Sequence, residues 1–188
     1  MALKATIFKA DLQIADMDRG HYADYSLTLA RHPSETDERL MVRLAAFALQ
    51  AQESLVFGRG LSSEDEPDLW CKDLTGRIRI WIEIGLPDEK SVRRAWGRAD
   101  AVRVVTYGGR AAQLWWDKAA PALTASANLE VIDLPQEATR ALAALAQRNM
   151  RLQCSIQEGL LLITDGEASV QLEPRVLKGT PASGHRSR

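Results

Sequence analysis

Apolar and polar residues alternate over residues 4–14, with Phe8, Ala10, Leu12 and Ile14 on one side and Lys9, Asp11 and Gln13 on the other. A period of two belongs to a strand with one buried face. Met17-Asp18-Arg19-Gly20 turns the chain, and Ala23, Tyr25, Leu27 and Leu29 repeat the alternation, which predicts a long antiparallel hairpin. His32-Pro33-Ser34 breaks that pattern, and Ser34 is the expected N-cap of a helix from about Glu35 to Gln50, with Asp37 three residues on. Leu40, Leu44 and Phe47 form one stripe of this helix, and Val42, Ala45 and Leu49 form another. Arg39 and Arg43 mark its expected wet side. A helix so widely apolar belongs in the middle of a fold. Glu38 falls beside Val42, Ala45 and Leu49, which directs an acid inward.

Shorter elements follow. Leu55–Phe57 and Asp68–Lys72 read as strands on either side of the polar loop Ser62-Ser63-Glu64-Asp65-Glu66. Thr75-Gly76 turns into the strand Arg77–Gly85, where Ile78, Ile80, Ile82 and Ile84 share one face and Arg79, Trp81 and Glu83 the other. Pro87-Asp88-Glu89 opens a helix whose buried stripe is Val92, Ala95, Trp96 and Ala99. A strand at Val102–Tyr107, a helix at Gly109–Lys118, a strand at Leu129–Leu134 and a helix at Gln136–Gln147 come next. Met150, Leu152, Cys154 and Ile156 then alternate again, and Glu158-Gly159 and Asp165-Gly166 mark the turns of a C-terminal meander closed by Pro174. The predicted class is α/β: a mixed central sheet flanked by helices, extended by the N-terminal hairpin and the meander. One domain over 1–177 is expected, followed by a disordered tail at 178–188, which is charged and rich in Gly, Pro and Ser.

Composition narrows the picture. The chain has 188 residues, 46% hydrophobic and 26% charged, with a net charge of -1. Such near-neutrality argues against a general nucleic-acid coat protein. The stretch 90–110 nevertheless carries a local net charge of +5, either a solvated helix face or a track for a phosphate backbone. Cys71 and Cys154 sit far apart among strand residues, so buried free thiols in a reducing compartment are expected. No apolar run approaches the roughly 20 residues of a membrane span, and no signal-peptide plan opens the chain, so a cytoplasmic protein is expected. His21, His32 and His185 have no ligand spacing, and no glycine-rich loop suggests a nucleotide cofactor. Trp70 and Trp81 fit core filling better than base stacking.

The chemistry centres on two acids on neighbouring strands, Asp68 in Glu66-Pro67-Asp68-Leu69-Trp70 and Glu83 in Ile80-Trp81-Ile82-Glu83-Ile84-Gly85. A carboxylate inside an apolar strand needs a compensating cation. Arg79 and a divalent metal are the two candidates. Hard oxygen ligands at one point suit Mg²⁺.

The order helix, strand, strand, helix, strand, with acids at Glu38, Asp68 and Glu83, resembles the PD-(D/E)XK nuclease-like superfamily, which has a restriction-endonuclease-like fold. Met1-Ala2-Leu3-Lys4-Ala5-Thr6-Ile7, Leu29-Ala30-Arg31-His32-Pro33-Ser34-Glu35-Thr36-Asp37-Glu38-Arg39, Asp65-Glu66-Pro67-Asp68-Leu69-Trp70 and Pro87-Asp88-Glu89-Lys90 carry a second likeness: over its ordered length the chain resembles the YaeQ family. The superfamily resemblance implies a Mg²⁺-dependent nuclease acting on DNA or RNA, with Asp68 and Glu83 as metal ligands and Glu38 supporting them. It also asks for a lysine two residues after the strand acid, where this chain has Gly85. Lys90, in the opening turn of the next helix, is the first candidate for a migrated lysine, and Lys72 is the alternative. Arg93, Arg94 and Arg98 would hold the nucleic-acid backbone. A catalytically inactive binding or regulatory module on the same fold is the rival expectation.

Overall fold

The computed structural model describes residues 4–59 and 65–179. The expected loop residues Ser62-Ser63-Glu64, the tail from 180 onward and His185 lie outside the described residues. The predicted hairpin forms as β1 (Thr6–Asp16) and β2 (His21–Arg31), paired antiparallel from Thr6 opposite Arg31 to Asp16 opposite His21. The C-terminal meander is β8 (Asn149–Gln157), β9 (Leu160–Thr164) and β10 (Ser169–Leu172). Hairpin and meander do not extend the central sheet. They join each other, β8 lying parallel to β1, into a five-stranded sheet of order β10-β9-β8-β1-β2. The register explains this, since Leu12 sits opposite Leu152 and Ile14 opposite Cys154. Two separate alternations thus present one continuous apolar face.

The other elements build a six-stranded mixed sheet. Its strands are β3 (Leu55–Phe57), β4 (Leu69–Lys72), β5 (Ile78–Ile84), β6 (Ala99–Thr106), β7 (Leu129–Asp133) and β11 (Arg175–Lys178), in the order β11-β7-β6-β5-β4-β3. β5, β6 and β7 run parallel to one another, while β3, β4 and β11 are antiparallel to their neighbours. Pro174 therefore ends the meander but not the ordered chain. Lys178 belongs to β11, its ammonium donating to the carbonyls of Ser126 (2.6 Å) and Leu129 (2.9 Å), rather than to a loose tail.

Four helices complete the layers: α1 (Asp37–Gln50), α2 (Glu89–Trp96), α3 (Arg110–Leu123) and α4 (Gln136–Ala143). One core joins the inner face of the five-stranded sheet (Phe8, Leu12, Leu152, Ile163) to α1, α4 and one face of the larger sheet (Leu69, Ile82, Val105). α1 and α4 are thus held between the sheets. A second core packs the opposite face of the larger sheet (Trp81, Val102, Val104, Val131) against α2 and α3. Trp81 is a core residue, as expected, and its indole meets that of Trp70 edge-on at 6.1 Å. Cys71 and Cys154 are buried free thiols. Among the described residues, no helix is long and apolar enough to cross a membrane.

Several local expectations need correction. The N-cap of α1 is Thr36, whose hydroxyl accepts from the Arg39 amide at 3.1 Å; the Ser34 hydroxyl is instead bonded to His32 Nδ1. Ile78 leaves the face of Ile80, Ile82 and Ile84 because the β4–β5 register shifts between Cys71 and Lys72. α2 ends at Trp96, so Ala99 starts β6, while α3 runs on to Leu123 and α4 stops early at Ala143.

The largest correction concerns the wet side assigned to α1. Arg43 is fully buried, and Arg39 retains only 14% of its side-chain exposure. Glu35, just before the helix and also buried, compensates both. Arg39 Nη1 donates to it at 2.9 Å and Arg43 Nη1 at 3.1 Å. Arg43 also reaches the Ala30 carbonyl on β2 (3.3 Å) and lies over the Phe57 ring. Arg43→Ala should therefore cost about 3–5 kcal/mol in denaturant unfolding, the scale for breaking a buried pair, whereas Glu35→Gln with Arg43→Met should recover most of that loss.

Candidate functional site

Extending the antiparallel register one step past Leu69 opposite Ile82 sets Asp68 opposite Glu83. Two carboxylates facing each other across a strand pair repel unless something compensates them. Asp68 is compensated. Its Oδ1 accepts from Arg39 Nη2 at 2.7 Å and its Oδ2 from the Ile84 amide at 2.8 Å. It thus ties α1 to the end of β5. Within the buried cluster, Glu35 and Asp68 are matched in charge by Arg39 and Arg43.

Glu83 stands outside that balance. Its Oε1 accepts from the Trp81 indole at 2.7 Å, and among the described residues it makes no ion pair. Arg79 does not compensate it, because that guanidinium bonds Asp100 at 2.9 Å. Burial pushes the Glu83 carboxyl up to about 7; the Trp81 hydrogen bond opposes this, Asp68 adds to it, and Arg39 opposes it. This half-buried acid therefore titrates close to physiological pH rather than far below it.

Both acids line a cleft of about 760 Å³ near the carboxyl ends of the parallel strands β5 and β6, the place where α/β sheets commonly receive ligands. Arg39, Tyr107, Asp88, Lys90 and Arg94 also contribute to its wall. The Tyr107 hydroxyl is raised above its usual range, chiefly by burial. Asp88 caps α2 through the Ser91 amide (2.8 Å), and those bonds hold its carboxyl below the usual range. Gly85 has φ +104, a left-handed conformation that suits glycine. The backbone has already left the strand there, so position 85 does not offer the strand-face geometry that the missing lysine requires.

The other expected residues divide. Lys90 is exposed on the cleft wall, and Arg94 lies beside it. Glu38 is not on that wall; it accepts from Thr139 Oγ1 at 2.7 Å and fastens α1 to α4. Lys72 sits with its ammonium 3.5 Å from the centre of the Trp70 ring, away from the cleft. Arg93 pairs with Glu89 at 2.7 Å, Arg103 with Glu130 at 2.5 Å, and Arg98 is exposed outside the cleft wall. With Arg94 also 3.8 Å from Asp65, half of the six cations in the positive stretch are engaged in local pairs. Arg39 is the cleft residue that sequence reading missed. The i, i+4 ladder Glu35, Arg39, Arg43 is the signal that could have found it.

Could this donor set hold Mg²⁺? Among the described residues, no group of three or more His, Cys, Asp or Glu comes together as a metal cage. Mg²⁺ usually needs only one or two carboxylates plus substrate phosphate. Glu83 suits that role as an anion lacking a cation. Asp68 suits it in part, since each of its oxygens already takes one hydrogen bond and keeps a second lone pair. The pair fits a cation brought together with a phosphate, not a preassembled cage.

A family model described as YaeQ protein matches residues 1–174. An uncharacterized protein YaeQ of Escherichia coli (strain K12) is 45% identical over 172 residues, covering 92% of this chain and 95% of that protein. Its Salmonella typhi counterpart is 44% identical over 173 residues, covering 92% and 96%. The crystal structure of the YaeQ protein from Xanthomonas axonopodis pv. citri superposes with a TM-score of 0.90 at 55% identity, covering 93% of this chain and 98% of that one. That from Pseudomonas syringae gives 0.89 at 37% identity, covering 93% and 97%.

The state of Glu83 has a consequence for stability. The folded protein keeps this proton up to about pH 7, whereas an ordinary glutamate releases it near 4.5. The stabilising contribution is complete below the unfolded value and is lost as pH rises through the folded one. Glu83→Gln should match wild type in thermal unfolding near pH 4 and exceed it at pH 8 by on the order of 2–3 kcal/mol.

Proposed function

The chain belongs to the YaeQ family, and from that premise we propose that its cleft is a variant PD-(D/E)XK nuclease site, hydrolysing phosphodiester bonds of nucleic acid with the aid of Mg²⁺. One observation supports this reading above the others: Glu83, opposite Asp68 in a solvent-open cleft, is a half-buried acid that makes no ion pair among the described residues. A buried, uncompensated carboxylate is unfavourable in the empty protein and favourable once a cation arrives. Glu83 and Asp68 would hold the metal, which when bound polarises a phosphoryl oxygen and lowers the pKa of a coordinated water. Lys90 and Arg94, on the cleft wall, would draw in and orient the phosphate backbone. The Asp68–Arg39 bond would fix one acid while Glu83 adjusts. Glu38 would act at a distance, by setting α1 against α4 through Thr139.

A binding or regulatory module without hydrolysis is the second reading. It is favoured by Gly85 at the lysine position and by the engagement of both Asp68 oxygens.

The two readings part on metal dependence. Wild type should cleave DNA or RNA in the presence of Mg²⁺ or Mn²⁺ and lose activity with EDTA, and Glu83→Gln should lower the rate by at least about 100-fold, the scale of a removed electrostatic contact. The same cations should raise the melting temperature of wild type and leave that of Glu83→Gln unmoved. Cleavage unchanged in Glu83→Gln would remove the mechanism, and the absence of cleavage with intact metal binding would favour the second reading.

A further inference from the structure

The buried ion chain leaves one guanidinium on the cleft wall, bonded to Asp68. Arg39 donates Nη1 to Glu35 and Nη2 to Asp68, at 2.9 and 2.7 Å. A guanidinium carries five N–H donors, so these two bonds fix its plane and leave further donors for another acceptor. The group is on the cleft wall with 14% of its side chain exposed, and its field reaches both Glu83 and Tyr107. Lys90, by contrast, is exposed at the start of α2, and Lys72 is engaged with Trp70.

The geometry points to Arg39 as the residue that receives the phosphate of a phosphodiester ligand in this cleft, in place of the lysine absent from position 85. This rests on the proposed phosphodiester chemistry of the site. An arginine clamped by two carboxylates is already ordered, so little side-chain freedom is lost when a phosphate arrives. Its planar fork matches two oxygens of one phosphate, which a lysine ammonium does not. Because Asp68 is bonded to it and Glu83 lines the same cleft, the anion enters together with a divalent cation that screens those acids. Arg94 and Lys90 extend the contact along the strand.

The test is fluorescence anisotropy of a labelled single-stranded oligonucleotide titrated with protein in millimolar Ca²⁺, over a series of salt concentrations. Wild type is compared with Arg39→Lys, Arg39→Gln, Asp68→Asn and the double variant Arg39→Gln with Asp68→Asn. The double variant keeps the buried charges matched should Arg39→Gln fail to fold, and it is then read against Asp68→Asn, which isolates the loss of the cation ligand. Loss of Arg39 should weaken binding on the order of 10- to 100-fold, the scale of a charge-assisted contact. The slope of log affinity against log salt should fall by about 0.7, the value for one phosphate contact on a single strand. A merely structural brace would not move that slope. Arg39→Lys should keep the slope while weakening binding.

Folded Gln variants that bind like wild type with the same slope would overturn the inference, as would a wild type that binds no oligonucleotide. Adding Mg²⁺ or Mn²⁺ and following cleavage separates the two ideas. Arg39-dependent binding without cleavage keeps this inference and sinks hydrolysis. Cleavage indifferent to Arg39 keeps hydrolysis and sinks this inference.

Discussion

The bond between Arg39 and Asp68 joins the central helix to the strand pair that carries the acids, and the arrangement of the cleft depends on it. Asp68 would otherwise be a buried carboxylate directly opposite another. Arg39 is anchored in turn by Glu35, which Arg43 also neutralises, and Arg43 reaches β2 through the Ala30 carbonyl. One chain of charge-assisted bonds therefore runs from the five-stranded sheet, through the helix between the layers, to the end of β5. Buried charges tolerate little misplacement, because each lost partner exposes the desolvation cost of the other. This fixes where α1 sits more sharply than its smooth apolar surface of Leu, Ala and Phe could do alone.

That balance also decides what the cleft can attract. With Glu35 and Asp68 matched by two arginines, Glu83 is left as the acid in surplus, raised toward neutrality by burial. Asp88, which has its own cap bonds to Ser91, does not share that condition. A cation entering the cleft meets one strong claimant in Glu83 and one shared one in Asp68. On the proposed reading this would be a loosely held metal site, completed by its ligand.

Much of the architecture was legible in the chain. The hairpin, the meander, the alternation of strands and helices between them and the central burial of α1 all followed from periods of 2 and 3.6 residues. The joining of hairpin and meander into a separate sheet was not, because pairing partners depend on which apolar faces coincide in space. Asp68 and Glu83 were singled out by type and strand position, and the fold brings both to one cleft. Arg39 and Arg43 were misread as solvated because periodicity assigns charged residues outward by default. Only the position of Glu35, buried just ahead of the helix, reverses that assignment. Glu38 was read as facing inward; it does, but toward Thr139 on α4, an element whose packing partner the sequence does not name. The register shift that turns Ile78 away is likewise invisible to alternation alone.

The central claim is that Glu83 is the acid around which this cleft takes up a divalent cation. The most direct measurement is a crystal structure of the protein grown with Mn²⁺, with the metal located by anomalous scattering. The account predicts a peak in the cleft with a Glu83 carboxylate oxygen at roughly 2 Å, a hard-cation bond length, and Asp68 still held by Arg39. A cleft without the ion, Glu83 bonded only to the Trp81 indole and any Mn²⁺ bound elsewhere, would contradict it.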